Sequence, residues 1–269
     1  SIVAKAAKVD MYENWTDVSG FMIADPRIIN NPKSIEAITY KELRELNPSP
    51  YLYYFNYGDF EVIGSSPEMV VKQQENKVYT CPIAGTRKRG ANEAEDEMLQ
   101  EDLLQDEKER AEHVMLVDLA RNDMGRISEF GTVKVTKFMD IQKYSHVMHI
   151  GSTVEAKLRS DCDYLSAIDS ILPAGTLSGA PKIRACEIIN ELEDNKRGIY
   201  GGAIGYIDLT GNLDTCIAIR IAFARDKKVF IRVGAGIVAD SVPENEFEEC
   251  NNKARAVMNA LRLADGGIE

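Results

Sequence analysis

Residues Gly234–Lys253 read GAGIVADSVPENEFEECNNK. This stretch follows a β-rich run, Val229–Val233. Gly234 and Gly236 lack a Cβ, so the backbone there can come close to a ligand. The segment Asp240–Pro243 then offers capping residues and a proline suited to a first helical turn. We therefore predict a strand, a glycine turn and a helix, in that order.

The predicted helix carries two carboxylates and a lysine on one face. Glu246 and Glu249 are three residues apart, and Lys253 follows Glu249 by four, so the three side chains are neighbours on a helix surface. Paired carboxylates suit a hard cation such as Mg²⁺, and the lysine suits a substrate carboxylate. The alternative is an ordinary solvated acidic helix.

A second pair of helical carboxylates lies earlier in the chain. Glu109 and Glu112 are also three residues apart, at the start of the segment Lys108–Arg121. That segment is apolar on most sides, which is typical of a buried helix. His113 follows the pair, and we interpret it as a structural residue.

Composition places the chain among ordinary globular proteins of 269 residues. The net charge of −11 argues against nucleic acid and anionic membrane surfaces as partners. The 5 cysteines are scattered without a CxxC pair, which fits reduced thiols in a cytoplasm. No apolar run approaches a membrane span. The abrupt start at Ser1 suggests a domain cut from a longer polypeptide.

Neighbouring strands joined by tight turns predict an α+β fold with largely antiparallel sheets. Tyr51–Asn56 and Phe60–Ile63 form a predicted hairpin, and Cys216–Ala224 alternates as a single strand. Near the N-terminus we expect a short strand at Phe21–Ala24 and a helix capped by Ser34 that runs to about residue 46.

Two common cofactor sites are disfavoured. Gly234-x-Gly236-x-x-Ala239 imitates a dinucleotide fingerprint, but no second strand and no acidic residue about 20 positions on follow it. A zinc site is disfavoured because the chain has 3 histidines and no thiol pair.

From about residue 40 to residue 253 the chain resembles the chorismate-utilising enzymes, and among them the large subunit (component I) of anthranilate synthase. The resemblance is carried by NPSPY (47–51), GSSPE (64–68), PIAGTR (82–87), LVDLARND (116–123), VMH (147–149), PAGTLSGAPK (173–182), GGAIGY (201–206) and the stretch quoted first. It implies two antiparallel sheets forming a sandwich flanked by helices. It also implies one chorismate-binding domain over residues 1–269, with residues 1–39 poorly matched.

The resemblance implies a Mg²⁺-dependent reaction. Glu112 and Glu249 match the metal ligands of the family, and Glu109 and Glu246, one turn away, would complete or support the shell. Four converging carboxylates would repel one another without a cation, which favours a metal over a general-acid pair.

Further positions match residues that bind the substrate. Tyr200, Arg220 and Lys253 match those that hold the enolpyruvyl carboxylate, helped by the backbone N–H groups of Gly234 and Gly236. Arg220 could grip a carboxylate through its planar fork, or form a core salt bridge within a strand.

Two positions match catalytic residues of the family. Glu68 matches the general acid that protonates the departing C4 hydroxyl, which requires a raised pKa. His149 matches a histidine that orients the ring and moves protons during pyruvate loss. Thr176, with Thr86 and Ala84 as further candidates, would line the ring face. Without the resemblance, Glu68 reads as a turn carboxylate and His149 as a core residue.

The implied reaction converts chorismate and ammonia to anthranilate and pyruvate, for tryptophan biosynthesis in the cytoplasm, with ammonia from a glutamine amidotransferase subunit (component II). Ala84 stands where the p-aminobenzoate branch often has an attacking lysine, which favours direct attack by ammonia. Met22 departs from the pattern of nucleophile-handling residues. An aminodeoxychorismate or aminodeoxyisochorismate synthase and an inactive chorismate-binding fragment stay open. Because residues 47–51 resemble only half of the inhibitor site, we expect poor tryptophan binding.

Overall fold

The computed structural model describes residues 21–22, 34–35, 49–144, 147–226, 228–239 and 241–266. The chain forms two compact units, one of Ser66–Ala218 and one of Ser1–Ser65 with Ile219–Glu269. The single domain expected over residues 1–269 stays a prediction. Most of the helix expected between residues 34 and 46, and the side chain of Met22, lie outside the described residues.

The described strands vary in length from 2 to 11 residues. They are β1 (Phe21–Met22), β2 (Ser34–Ile35), β3 (Tyr51–Asn56), β4 (Phe60–Ser66), β5 (Met69–Gln74), β6 (Lys77–Thr80), β7 (Ile83–Lys88), β8 (Lys134–Lys143), β9 (Val147–Lys157), β10 (Ala203–Ile207), β11 (Leu213–Ile217), β12 (Ile221–Arg225) and β13 (Lys228–Ile231).

The unit Ser66–Ala218 is built on a seven-stranded sheet. Its strands follow the order β10-β11-β5-β6-β9-β7, with β8 also paired to β9. Every one of these pairings is antiparallel. β9 carries Met148, Ile150, Ser152 and Val154 at full burial, and His149 and Thr153 between them are less buried. This period of two is expected of a strand with one face on a core.

Two consecutive helices cover this unit. They are α1 (Glu93–Gln105) and α2 (Glu107–Gly125). The side chain of Asn92 caps α1, and that of Asp106 accepts from the N–H of Glu109 to cap α2. The prediction of a helix buried on most sides was wrong, because α2 is buried along one stripe only and Val114 on its other side is 40% exposed. The buried stripe has helical spacing and comprises His113, Leu116, Val117, Ala120, Asp123 and Met124.

Two shorter helices and a single 3₁₀ turn follow β9. They are α3 (Tyr164–Ile171), the 3₁₀ turn Gly175–Leu177 and α4 (Lys182–Leu192). Asp163 and Ser166 form a reciprocal capping box at the start of α3. No helix in the described part of the chain has the length and apolar character needed to cross a membrane.

The other unit holds a four-stranded sheet of order β13-β12-β4-β3 and the long helix α5 (Pro243–Gly266). The described pairings of β12 with β4 and β13 are antiparallel. Aromatic rings of Tyr57, Phe60, Phe223 and Phe230 contact one another in series, at centroid distances of 4.7 to 6.2 Å. Pro243 begins α5, as predicted for a first-turn proline.

These elements confirm the predicted α+β class with two antiparallel sheets; the sandwich stays a prediction. Two further local predictions were wrong. Ser34–Ile35 is not helical but pairs with Phe21–Met22 as a strand. The strand expected over Cys216–Ala224 is interrupted, because Arg220 adopts a left-handed φ of 52° between β11 and β12. Alternation continued on both sides of the break, so the sequence pattern did not reveal it.

Candidate active site

Glu68 lies between β4 and β5 and is 6% exposed. Its carbonyl accepts from the N–H of Ile217 at 3.0 Å, which fixes its backbone to the end of β11. The Thr176 hydroxyl donates to Glu68 Oε1 at 3.2 Å. Burial raises the pKa of the Glu68 carboxyl to about 8, although the hydrogen bonds from Thr176 and the Ile83 backbone oppose the rise. The carboxyl is therefore protonated at neutral pH.

Thr176 sits at the centre of the 3₁₀ turn Gly175–Leu177. The Ser178 hydroxyl donates to the carbonyl of Ala174 at 2.9 Å and closes the turn. A Cβ built on Gly175 would lie 3.2 Å from Leu119 Cδ1, so the turn lies close against α2. These contacts hold the Thr176 hydroxyl against Glu68.

A small cavity of about 30 Å³ adjoins Glu68 and Thr176. By this measure one ordered water molecule needs roughly 10–15 Å³, so a water molecule fits. Asp123 lines the same cavity. Its carboxylate accepts from Lys182 Nζ at 2.7 Å, and burial raises the pKa of Asp123 against the effect of that lysine.

His149 is half-buried on β9 and contacts β7. Its Nδ1 lies 2.8 Å from the carbonyl oxygen of Gly85 and 3.1 Å from the Thr86 hydroxyl. A carbonyl oxygen only accepts, so Nδ1 carries a proton and the neutral ring has its lone pair on Nε2. The ring of Tyr144 meets that of His149 edge to face, with centroids 5.6 Å apart. His149 is thus oriented as a proton acceptor at Nε2.

The carboxylates Glu109 and Glu112 occupy the first turns of α2. The pKa of Glu109 is raised, first by burial and then by the negative charge of Glu112. Gly85 has a φ of +65°, and a Cβ on it would lie 3.1 Å from Glu109 Oε2. Glu109 and His149 therefore approach the same residue, Gly85, one through its Cα side and the other through its carbonyl.

The other unit contains a second group of predicted residues. On α5, Lys253 Nζ lies 2.6 Å from Glu249 Oε1 and donates to the carbonyl of Gly234 at 3.0 Å. Glu246, one turn earlier, is 7% exposed. Thus Glu249, Lys253 and Gly234 come together, with Glu246 on the same helix.

The remaining predicted residues lie in loops. Arg220 is half-buried in the break between β11 and β12, and its carbonyl accepts from the N–H of Ser65 at 3.2 Å. Gly236 is exposed after β13. Tyr200 is 8% exposed in the turn before β10, where its N–H donates to the carbonyl of Arg197 at 3.2 Å.

The predicted residues fall into groups by unit. Glu68, Glu109, Glu112, His149, Thr176 and Tyr200 belong to Ser66–Ala218, and Arg220, Gly234, Gly236, Glu246, Glu249 and Lys253 belong to the other unit. The pairing of Glu112 with Glu249 across the two units stays a prediction.

Among the described residues, no three His, Cys, Asp or Glu side chains are grouped closely enough to hold a metal ion. Glu109 and Glu112, two of the four proposed ligands, nevertheless suit Mg²⁺ by their chemistry, because carboxylate oxygens are its preferred protein ligands and a cation relieves the repulsion between them.

Reasoning from the sequence missed three residues that organise this region. Tyr144 packs on His149, Lys182 pairs with Asp123, and Arg197 contacts the turn that holds Thr176. Asp123 could have been found from its position, since it shares the helical spacing of the buried apolar residues of α2. Lys182 pairs with a residue 59 positions away and Arg197 contacts Leu177 over 20 positions, which no local pattern predicts. Tyr144, by contrast, is close to His149 in the sequence.

Proteins of known name match most of this chain. Residues 27–259 match the family model described as chorismate binding enzyme. The anthranilate synthase component 1 of Acetivibrio thermocellus is 60% identical over 225 residues, covering 84% of this chain and 46% of that protein. The protein of the same name from Aquifex aeolicus is 57% identical over 243 residues, covering 90% of this chain and 48% of its own length.

Solved structures give the same fold. The crystal structure of anthranilate synthase component I from Streptococcus pneumoniae superposes with a TM-score of 0.74 at 49% identity, over 81% of this chain and 48% of that one. The menaquinone-specific isochorismate synthase of Escherichia coli superposes with a TM-score of 0.71 at 26% identity, over 78% of this chain and 48% of that one. The chain spans about half the length of the relatives it matches. It belongs to the chorismate binding enzyme family.

Proposed function

We propose that this chain is the catalytic region of an anthranilate synthase component I, which converts chorismate and ammonia to anthranilate, pyruvate and water. Relatives more than half identical to it carry that name. The observation that supports the chemistry is the burial of the Glu68 carboxyl. Burial raises its pKa to about 8, so the group is protonated at neutral pH and can act as an acid.

In the proposed reaction, ammonia attacks C2 of the ring as the C4 hydroxyl departs. Glu68 donates its proton to that oxygen, which leaves as water. Thr176 supports the step because its hydroxyl donates to Oε1 of Glu68 and so fixes the plane of the carboxyl. Ammonia loses a proton to become the ring amine, and Glu68 is reprotonated for the next turnover.

His149 serves the second part of the reaction. The proton on C2 of the ring must be removed, and the methylene carbon of the enolpyruvyl group must gain a proton, as that group leaves as pyruvate and the ring becomes aromatic. The bond from Nδ1 to the Gly85 carbonyl places the lone pair of the neutral imidazole on Nε2. We assign His149 to accept or relay protons in this step.

Lys253 and Arg220 would hold substrate carboxylates, with Tyr200 and the N–H groups of Gly234 and Gly236. Lys253 pairs with Glu249 and donates to the Gly234 carbonyl. A substrate carboxylate would compete with Glu249 for the ammonium group. Glu249 would then be available for the role proposed next.

We propose that Glu112 and Glu249, supported by Glu109 and Glu246, hold Mg²⁺. When bound, the ion would supply positive charge to a substrate carboxylate. Glu109 and Glu112 suit this role, because burial and then the negative charge of Glu112 raise the pKa of Glu109, and a cation would offset both effects. A glutamine amidotransferase subunit that supplies ammonia, and a cytoplasmic location, are further parts of the proposal.

The test is to incubate the chain with chorismate, MgCl₂ and an ammonium salt at alkaline pH, with anthranilate fluorescence and the product mass as readouts. We expect anthranilate and pyruvate in equal amounts, and loss of both in Glu68→Gln. A product with the mass of aminodeoxychorismate or aminodeoxyisochorismate would instead make the chain a sister enzyme. Chorismate binding without any product would reduce it to a binding module.

A further inference from the structure

Arg197 lies in the connection between α4 and β10 and makes three different kinds of contact. Its Nε lies 3.1 Å from both carboxylate oxygens of Glu193, and its Nη2 donates to Oε1 at 2.7 Å. Its Nη1 donates to the carbonyl of Leu177 at 2.7 Å. Its guanidinium carbon lies 6.0 Å from the centre of the Tyr200 ring. Glu193 thus holds Nε and Nη2 of the Arg197 guanidinium, and Nη1 contacts another loop.

The carbonyl that Arg197 binds belongs to the turn that presents Thr176. Leu177 is the next residue in the 3₁₀ turn, and Thr176 donates to Glu68. The same leucine also meets the loop after Arg197, since a Cβ on Gly201 would lie 3.1 Å from Leu177 Cδ1. Arg197 and Gly201 therefore join the two loops through polar and apolar contacts with one residue.

Tyr200 is placed by the same arginine. The backbone of residues 197–200 forms a turn in which the Tyr200 N–H donates to the Arg197 carbonyl at 3.2 Å. The guanidinium lies at the distance of a cation–π contact with the ring. Movement of Arg197 would consequently disturb both Tyr200 and the neighbour of Thr176.

We propose that Arg197 is a positioning residue that holds Thr176 and Tyr200 together for substrate binding and for the acid step at Glu68. The inference rests on the proposed function, because both residues are assigned there to the chorismate site. Among its described contacts, which are with Glu193, Leu177 and Tyr200, Arg197 does not reach the carboxyl of Glu68. Its effect on the reaction is transmitted through the Leu177 carbonyl and the Tyr200 ring.

The test uses Arg197→Lys, which keeps the charge and loses the fork, with Arg184→Lys as the matched control. Arg184 lies on α4 and pairs only with exposed glutamates among its described contacts, Glu187 and Glu191. We expect kcat/KM for chorismate to fall about 100-fold in Arg197→Lys, the scale of a misplacement of about 1 Å, and to stay unchanged in Arg184→Lys. The alkaline limb of the pH–rate profile should also move to higher pH in Arg197→Lys. The reason is that Glu68 loses the hydrogen bond from Thr176, which lowers its pKa in the parent chain.

Amide hydrogen exchange gives a readout that does not depend on activity. The N–H groups of Leu177 and Ser178 donate to the carbonyls of Ala174 and Gly175 within the turn. In Arg197→Lys, peptides covering residues 174–178 should exchange faster than in the parent chain and in Arg184→Lys. Glu193→Gln removes the negative charge that holds the Arg197 guanidinium, so it should also make residues 174–178 exchange faster. It replaces Arg197→Lys in the test if that variant does not fold.

The outcomes separate the inference from the proposed function. A parent chain without chorismate turnover contradicts the proposed function, while the exchange comparison still decides whether Arg197 positions the turn. A folded Arg197→Lys with parental exchange and parental kcat/KM overturns the inference. So does a variant that is merely less stable, with an unchanged pH profile and unchanged exchange in residues 174–178.

Discussion

The Thr176 hydroxyl donates a hydrogen bond to Oε1 of Glu68 over 3.2 Å, although the two residues are 108 positions apart in the sequence. Glu68 enters the site from the loop before β5, and Thr176 enters from the 3₁₀ turn after α3. The buried carboxyl therefore receives a fixed donor from outside its own sheet. This donor favours the ionised carboxylate, whereas burial favours the protonated acid, and burial prevails.

Glu68→Gln should abolish most activity and make stability less dependent on pH. Because the pKa of Glu68 rises from 4.5 in the unfolded chain to about 8, its contribution to stability is fully present below pH 4.5 and is lost as the pH rises through 8. We expect kcat to fall roughly 10²–10⁴-fold, as for loss of a general acid. The free energy of unfolding at pH 8 should increase by an amount on the order of a few kcal/mol.

Urea unfolding at pH 5, 6, 7 and 8, together with steady-state rates, checks this prediction. Glu101→Gln on the exposed face of α1 is the control and should leave both quantities unchanged. Equal pH dependence in the parent chain and in Glu68→Gln would contradict the raised pKa. Parental activity in Glu68→Gln would remove the general-acid role.

Thr176→Val should move the alkaline limb of the pH–rate profile to higher pH. The Thr176 hydroxyl lowers the pKa of Glu68, so removing it lets that pKa rise and keeps the acid protonated further into the alkaline range. The value of kcat/KM should nevertheless fall about 10-fold, because the carboxyl loses its orientation. Thr176→Ser retains the hydroxyl and should keep the parental limb. A limb that stays in place or moves to lower pH in Thr176→Val would refute the assignment.

Gly85→Ala should cost more stability than Gly131→Ala, although both glycines have a positive φ, of 65° and 75°. A Cβ at Gly131 meets no atom within 4 Å, so that variant measures backbone strain alone, about 1–2 kcal/mol. At Gly85 the same Cβ would lie 2.8 Å from Leu103 Cδ1, and Leu103 is fully buried. We expect an additional loss of roughly 1–3 kcal/mol, as for overpacking, with reduced activity because Glu109 and His149 meet there.

Thermal and urea unfolding of the two glycine variants, side by side, decide this comparison. Equal losses of stability would mean that Leu103 and Glu109 move aside without cost. The packing account of Gly85 would then be wrong.

Magnesium should stabilise the folded chain if Glu112 is one of its ligands. A ligand that binds only the folded state at 100 times its Kd adds about 2.7 kcal/mol to the free energy of unfolding. We expect a higher melting temperature in MgCl₂ than in EDTA, and no such difference for Glu112→Gln or Glu249→Gln. Glu107→Gln, at an exposed position in the same helix as Glu112, should retain the response. A parental response in Glu112→Gln would exclude that carboxylate as a ligand.

The elements most securely predicted from the sequence were those whose pattern is local. The helix around Leu116 showed its apolar spacing directly, and the first turn of α5 followed from Pro243. The break at Arg220 was not predictable in this way. Strand alternation on its two sides hides a single left-handed residue, and the change from one sheet to the other depends on distant partners such as Ser65.

The candidate site shows the same division. Resemblance to the family identified Glu68, His149 and Thr176 as residues, but their environment depends on tertiary contacts. The tautomer of His149 is set by the carbonyl of Gly85, and the pKa of Glu68 is set by burial. Lys182 gave no signal beyond a basic residue opening a helix, since its partner Asp123 is 59 positions away.

Lys182→Met should destabilise the chain more strongly than removal of an exposed ion pair. Lys182 Nζ donates to Asp123 at 2.7 Å and to the Ile171 carbonyl at 2.9 Å, and both side chains of the pair are at most 18% exposed. Removing the lysine leaves a buried carboxylate without its charge partner, a loss of roughly 3–5 kcal/mol. Lys157→Met, which breaks the exposed pair with Glu129, should cost at most about 1 kcal/mol.

The double variant Asp123→Asn/Lys182→Met tests whether the unpaired charge is the cause. It should recover part of the stability lost in Lys182→Met, because no buried carboxylate then remains. The loss of stability in Lys182→Met should also grow between pH 5 and pH 8. Burial already raises the pKa of Asp123, so without the lysine its carboxyl keeps a proton in the folded chain that it releases on unfolding, and a rise in pH then favours the unfolded chain. Urea unfolding across that range measures both effects. A loss that is independent of pH, with no recovery in the double variant, would show that Lys182 contributes packing and not charge.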